Sequence, residues 1–207
     1  MELNQSIKAV LFDYGGVLAE EGFRNGLLAL AREQHLDLAA MPAAAMQAVY
    51  DSGFVLGKGL ESDFWTLLRK RTGLRGSDDT LTQRILDGFV LRPWMIALVK
   101  QLRVQGYVTG ILSDQTNWLD WLNTRDHFYD AFDHIFNSFH MGRGKRDASL
   151  FLLIAAKLAV EPGEILFVDD SEENITCARG AGWQVIRYVD KAHFLTDIDR
   201  LLSVPRQ

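Results

Sequence analysis

Three short apolar runs in the sequence end on residues that can hold a phosphate or a metal ion. Ile7–Phe12 runs into Asp13, Tyr107–Leu112 into Ser113, and Ile165–Val168 into the pair Asp169-Asp170. A fourth segment, around Lys145, follows the short run His134–Phe136. Taken singly, an Asp after a strand is a turn former, a Ser is a helix cap, and a Lys is a solvated surface group. Together they would meet at one edge of a parallel sheet, because such sheets bind ligands at the carboxyl ends of their strands. Asp13, Asp169 and Asp170 in one cleft repel one another unless a cation intervenes. Hard oxygen ligands suit Mg²⁺, which often takes one or two carboxylates plus a substrate phosphate. An Asp carboxylate can also attack phosphorus and form an aspartyl-phosphate. The surroundings then contribute mainly positioning and charge neutralisation. Lys145, Ser113 and the backbone N–H groups after Asp13 would supply these, and Gly15 and Gly16 let the backbone approach the anion. A helix beginning just after Ser113 would aim its N-terminal donors at the same point.

The elements that must position these groups are legible from periodicity and punctuation. Pro93 and Gly106 bracket a helix over Trp94–Val104. Further helices are expected from Asn117, over Ser149–Leu158 and over Ile175–Gly180, with a last strand at Gln184–Tyr188. Strands alternating with helices predict an α/β fold, a parallel sheet with helices on both faces. Between Glu20 and Phe89 the texture changes. Leu27, Leu28, Leu30 and Ala31 fall at helical spacing, Ala39–Ala48 is alanine-rich with Pro42 near its start, and Phe64, Leu67 and Leu68 follow Ser62, a candidate N-cap. This reads as an all-helical block inserted after the first strand. The expected division is an α/β core of residues 1–19 and 90–207 and a helical unit of residues 20–89. Pro205–Gln207 reads as a frayed tail.

Composition narrows the function classes. The 207 residues carry a formal charge of −5, which disfavours nucleic-acid binding through a basic surface. Mean hydropathy is −0.03, and the absence of an apolar run long enough to span a bilayer argues against a membrane role. The N-terminal residues lack the charged and apolar segments of a secretory signal, so a cytoplasmic location is expected. A single cysteine, Cys177, excludes an intramolecular disulfide and a cysteine-built zinc site. The five histidines show no paired metal spacing. Trp65, Trp94, Trp118 and Trp121 either line a binding surface or pack between helix and sheet.

Four segments in order resemble the motifs of the haloacid dehalogenase-like hydrolase superfamily, over nearly the whole chain. Phe12-Asp13-Tyr14-Gly15-Gly16-Val17-Leu18 is similar to its first motif, Ile111-Leu112-Ser113-Asp114-Gln115-Thr116 to its second, Gly144-Lys145-Arg146-Asp147 to its third, and Phe167-Val168-Asp169-Asp170-Ser171-Glu172-Glu173-Asn174 to its fourth. The resemblance implies a Rossmann-like core with a C1-type helical cap, between which Leu91-Arg92-Pro93 makes the return. It implies a Mg²⁺-dependent phosphatase acting on a small phosphorylated metabolite. Asp13 would be the nucleophile, and Ser113, Asp114, Lys145 and Gly16 would bind the phosphate. Asp13, the Gly15 carbonyl, Asp169 and Asp170 would hold Mg²⁺, with Asn174 orienting Lys145 or its neighbours.

The pattern departs from the family at three places. The second Asp of the usual Asp-x-Asp, which protonates the leaving group and activates water, is Gly15; some glucose-1-phosphate phosphatase-like members also carry Gly there. The usual Lys-Pro is Lys145-Arg146, which with Arg143 forms a basic cluster. Ser113 is followed by Asp114 where Asn is common. Glu20 and Glu21, on the way into the helical block, are positioned as substitutes for the missing acid or as a charged linker. Two other readings stand beside the phosphatase: a metal-free 2-haloacid dehalogenase, and a catalytically weakened protein that binds a phosphometabolite. A phosphomutase is disfavoured by the missing Asp.

Overall fold

Ala9–Phe12, strand β1, has no solvent-exposed residue, as expected of a strand covered on both faces. The computed structural model describes residues 6–202; Pro205–Gln207, expected to fray, lie outside them. Four more strands complete a parallel sheet: β2 (Val108–Ser113), β3 (His134–Asn137), β4 (Ile165–Asp169) and β5 (Gln184–Arg187). Their order is β3-β2-β1-β4-β5. The chain builds outward from β1 through β2 and β3, then returns to place β4 on the other side of β1. The direction of winding reverses between β1 and β4, which is where open α/β sheets hold their ligands. Register sets the polar residues side by side. Phe12 pairs with Ile111 and Val168, so Asp13 and Asp169 each follow one member of a pair.

Side-chain alternation assigns the two faces. Val10, Phe12, Leu166 and Val168 face the larger core, and Ala9, Leu11, Ile165 and Phe167 face the smaller. Helices α5 (Pro93–Val104) and α6 (Trp118–Asp126) cover the first face, and α8 (Ser149–Leu158) and α9 (Glu172–Gly180) the second. A four-residue helix, α7 (Ser138–Met141), follows β3, and α10 (Lys191–Leu202) packs Phe194 and Ile198 into the larger core. The sequence reading did not include α7 or α10.

All regular elements between β1 and α5 are helical: α1 (Gly22–Glu33), α2 (Met41–Asp51), a 3-10 turn at Phe54–Leu56, α3 (Glu61–Thr72) and α4 (Asp78–Leu86). Ser62 is not the N-cap of α3. The helix starts at Glu61, two residues earlier than that cap would set, and is capped at Leu60, whose N–H donates to the Asp63 carboxylate at 3.0 Å. The chain leaves the sheet and returns beside itself: Glu20 N–H donates to the Val90 carbonyl at 2.9 Å, and Ala19 bridges antiparallel to Leu91. Arg92 fastens this crossing. It donates to the carbonyls of Gly16 (2.6 Å) and Val17 (2.8 Å), forms paired bonds to Glu20, and lies over the Tyr188 ring.

The helical segment also touches the sheet layer directly. Phe23, Phe54, Phe64 and Trp65 cluster with Trp118 of α6, so Trp65 is a packing residue, and Trp118 both packs and lines the cavity over the sheet edge. Trp94 packs on Phe194 and Trp121 is exposed. Ser138 Oγ donates to the Val55 carbonyl at 2.7 Å. Gly57, at φ +64°, lies so close to α7 that a β-carbon would sit 2.3 Å from the Phe139 oxygen; only glycine fits.

Candidate active site

The carboxyl ends of β1, β2 and β4 bring Asp13, Ser113 and Asp169 together as their register requires. Asp169 continues the parity of Phe167 and so faces the α8 side of the sheet. The loop before α8 delivers Lys145 on that side. Its ammonium lies 2.8 Å from Asp13 Oδ2 and 2.6 Å from Asp169 Oδ2, and 5.5 Å from the centre of the Phe167 ring. Ser113 Oγ donates to Asp13 Oδ1 at 2.6 Å, and the Tyr14 N–H donates to the same oxygen at 2.7 Å. Asp13 is thus fixed through both oxygens.

Asp169 is completely buried and its acceptor capacity is nearly full. Beyond Lys145 it accepts the Ser171 N–H at 2.8 Å and the Asn174 side-chain amide at 3.1 and 3.2 Å. Asn174 therefore orients Asp169 directly and Lys145 only through it. Asp170 is half-buried and lies against Gly16, where a β-carbon would come within 2.3 Å of Asp170 Oδ2. The positive φ of Gly16, +80°, and this contact both demand glycine.

Electrostatics favour a cation here. Oxygens of Asp13, Asp169 and Asp170 lie within 4.8 Å of one another. Burial pushes the Asp13 carboxyl up to about 8, opposed by Lys145 and reinforced by Asp169. Burial also raises Asp170, again with Asp169 adding to the effect. For Lys145, burial works against the charge, but Asp13, Asp169 and Asp114 outweigh it and hold the ammonium above the usual lysine range. One ammonium thus faces three clustered acids. This all-oxygen set, short of positive charge, fits Mg²⁺.

The Asp114 carboxylate is engaged as a strut, which leaves its backbone N–H as the group that could reach a phosphate. The carboxylate accepts the Lys145 N–H at 2.9 and 3.1 Å and the Tyr50 hydroxyl at 2.8 Å. It ties the Lys145 loop to α2. Burial, then Asp114, raises the Tyr50 hydroxyl above the normal tyrosine range, and Arg146 stacks on the Tyr50 ring at 4.1 Å. The basic cluster is split accordingly: Lys145 points into the site, Arg146 onto Tyr50, and Arg143 to Ser149 at 3.1 Å. Sequence reasoning missed Tyr50, which no local motif marks.

A cavity of about 430 Å³ opens above these groups, within the range usual for small-molecule sites. Its floor includes Asp13, Ser113, Lys145 and Asp170, and its wall includes Phe23, Leu27, Met46, Val49 and Val55 from the helical segment. Glu21 lines it as well. Glu20 is exposed and paired to Arg92.

A Rossmann-like parallel sheet with this acid–lysine cluster at its winding reversal defines a class, and the sequence agrees: residues 7–182 match the family model of the haloacid dehalogenase-like hydrolases, and the chain belongs to that family of enzymes. Among curated relatives, the sesquiterpene phosphatase astK of Aspergillus oryzae is 27% identical over 96% of this chain and 98% of its own length. Bifunctional epoxide hydrolase 2 of Rattus norvegicus is 26% identical over 59% of this chain but only 23% of its own. Among solved structures, a HAD family enzyme of Bacteroides thetaiotaomicron in complex with magnesium and inorganic phosphate superposes with a TM-score of 0.65 at 22% identity, covering 91% of this chain and 99% of that one. That likeness is one of fold.

Proposed function

We propose that this hydrolase is a Mg²⁺-dependent phosphatase that releases phosphate from a small phosphomonoester with an apolar leaving group, through an aspartyl-phosphate on Asp13. The observation that carries the reading is the pairing of a buried, fixed Asp13 with Lys145 and Asp170 beneath an apolar-walled cavity. Asp13 attacks phosphorus with a carboxylate oxygen held in place by Ser113, Tyr14 N–H and Lys145. Ser113 and Lys145 turn to the phosphoryl oxygens as the bond forms, and the N–H groups around Gly16 and Asp114 assist. Water then cleaves the acyl phosphate. Asp13, Asp170 and the Gly15 carbonyl would hold Mg²⁺. Asp169, expected from sequence as a ligand, is instead assigned to holding Lys145, because its oxygens are already engaged. The ion supplies charge neutralisation for the acids and the phosphoryl group.

Residues 20–89 would act as a cap over the core of residues 1–19 and 90–207, excluding water and selecting the leaving group. The apolar wall supports a hydrocarbon-bearing substrate, as does the phosphatase relative named for sesquiterpenes. A dehalogenase, which needs no metal, leaves the clustering of Asp170 with the other two acids without a task.

The test is phosphate release from a panel of alkyl and prenyl phosphates, sugar phosphates and phosphoglycolate, with Mg²⁺ and with chelator. Activity that needs Mg²⁺, favours the apolar esters and vanishes in Asp13→Asn supports the proposal. Full turnover in Asp13→Asn, or halide release indifferent to chelator, overturns it.

A further inference from the structure

We infer that Glu21 is the proton-transfer residue of this site, standing in for the carboxylate that Gly15 lacks; the inference rests on the phosphatase reading above. A β-carbon placed on Gly15 would meet only ordinary contacts, Phe89 at 3.4 Å, Gln115 Nε2 at 3.6 Å and Glu21 Oε1 at 3.7 Å. The space a side chain at position 15 would enter is therefore bordered by the Glu21 carboxylate. The acid group approaches from the opposite side, out of the helical segment, rather than from the loop after β1.

Three observations support a dedicated role. Glu21 lines the same cavity as Asp13, Ser113, Lys145 and Asp170. Its side chain is fixed by one oxygen only: Oε2 accepts the Arg24 N–H at 2.8 Å as the cap of α1. Oε1 accepts no hydrogen bond among the described residues. The backbone around it is also anchored, since Gly22 packs so closely on Phe89 that a β-carbon would fall 2.4 Å from that ring, and Glu20 is clamped to Arg92. Glu20 is excluded by its own partners.

The chemistry balances. As an Asp13 oxygen bonds to phosphorus, the ester P–O bond breaks and the departing oxygen takes the Glu21 proton, leaving as the neutral alcohol. The Glu21 carboxylate then takes a proton from water as the water oxygen bonds to phosphorus and the Asp13–phosphorus link breaks. Inorganic phosphate leaves, and Glu21 is again protonated.

The test compares Glu21→Gln, which keeps an oxygen for the Arg24 N–H, with wild type and Glu20→Gln on two substrates. An alkyl phosphate needs a proton on its leaving group; 4-nitrophenyl phosphate does not. Glu21→Gln is expected to lose about 10²- to 10⁴-fold in alkyl phosphate turnover. With 4-nitrophenyl phosphate it keeps the initial burst of nitrophenolate but slows in the steady state, because the water step lacks its base. Glu20→Gln stays near wild type. Adding Gly15→Asp to Glu21→Gln restores alkyl phosphate turnover by returning a carboxylate to that space. Glu21→Ser, a good helix cap without an acid, reproduces the Glu21→Gln pattern should the amide disturb folding. Alkyl phosphate turnover within about threefold of wild type in both Glu21 variants, or equal loss of burst and steady state, overturns the assignment. Absence of Mg²⁺-dependent phosphate release from wild type overturns the phosphatase reading itself, and this assignment with it.

Discussion

The floor and the wall of the cavity are built on different principles. The floor is over-determined: Asp13 and Asp169 each accept several hydrogen bonds, and a single buried lysine joins them. The wall, made by α1, α2 and the 3-10 turn, offers mostly apolar side chains and meets the floor through a few directed contacts, chiefly Tyr50 to Asp114 and Ser138 to Val55. The floor holds charge that would be unstable without geometry. Beyond Glu21, the wall offers mainly apolar area, with Arg24 and Tyr50 as polar exceptions, so it recognises chiefly size and apolarity. Apart from Glu21, chemistry and selectivity therefore sit on opposite sides of one cavity, and substitutions should separate them.

The largest effects belong to the floor. Asp13→Asn is expected to abolish phosphate release while leaving the protein folded, checked by phosphate assay and circular dichroism. Lys145→Met leaves Asp13 and Asp169 buried without their partner, and losing one member of a buried ion pair costs about 3–5 kcal/mol. Urea unfolding should show that loss together with inactivity; an active, equally stable variant would contradict the floor as described. Asn174→Ala removes one of several donors to Asp169. It should cost about 1–3 kcal/mol and lower turnover less than Lys145→Met does, as measured in the same assays.

Effects on the wall should be smaller and of another kind. Tyr50→Phe deletes one hydrogen bond between wall and floor, worth about 1 kcal/mol. Steady-state kinetics should show a raised KM for alkyl phosphates with kcat changed little. Met46→Ala removes apolar area, at about 0.8 kcal/mol per methylene. It should lower kcat/KM several-fold for a long alkyl phosphate and leave phosphoglycolate unaffected. Equal losses on both substrates would end the division of labour.

The same contrast explains what could be read in advance. The floor was legible because buried parallel strands must be apolar runs, and the polar residues that end them stand out. Asp13, Ser113, Lys145, Asp169 and Asp170 all converge. Their hydrogen-bond partners were not legible: that Asp169 is saturated, and that Asp114 is a strut, depends on Ser171, Asn174 and Tyr50 meeting them in space. Tyr50 reaches Asp114 across 64 positions of sequence, a contact no local periodicity encodes. The helical character of the wall was visible, but Ser62 misled because Asp63 caps the backbone of Leu60 instead. Of the adjacent acids Glu20 and Glu21, sequence could not choose. Arg92, distant in sequence but adjacent in space, claims Glu20 and leaves the other facing the cavity.

The hydrogen bond from Glu20 to Val90 has a consequence for how such a protein can change. The two ends of the helical segment touch, so as far as chain connectivity goes the sheet carries it as a closed loop, apart from the packing on Trp118 and α7. Closing a loop costs roughly 0.6 kcal/mol more for each doubling of its length. In closure entropy, the sheet is therefore almost indifferent to the length of what it carries there. A longer, shorter or differently lined segment could be exchanged at that crossing provided Glu20 and Glu21 were kept, with Arg92 as the clasp, and the groups of the floor would keep their footing.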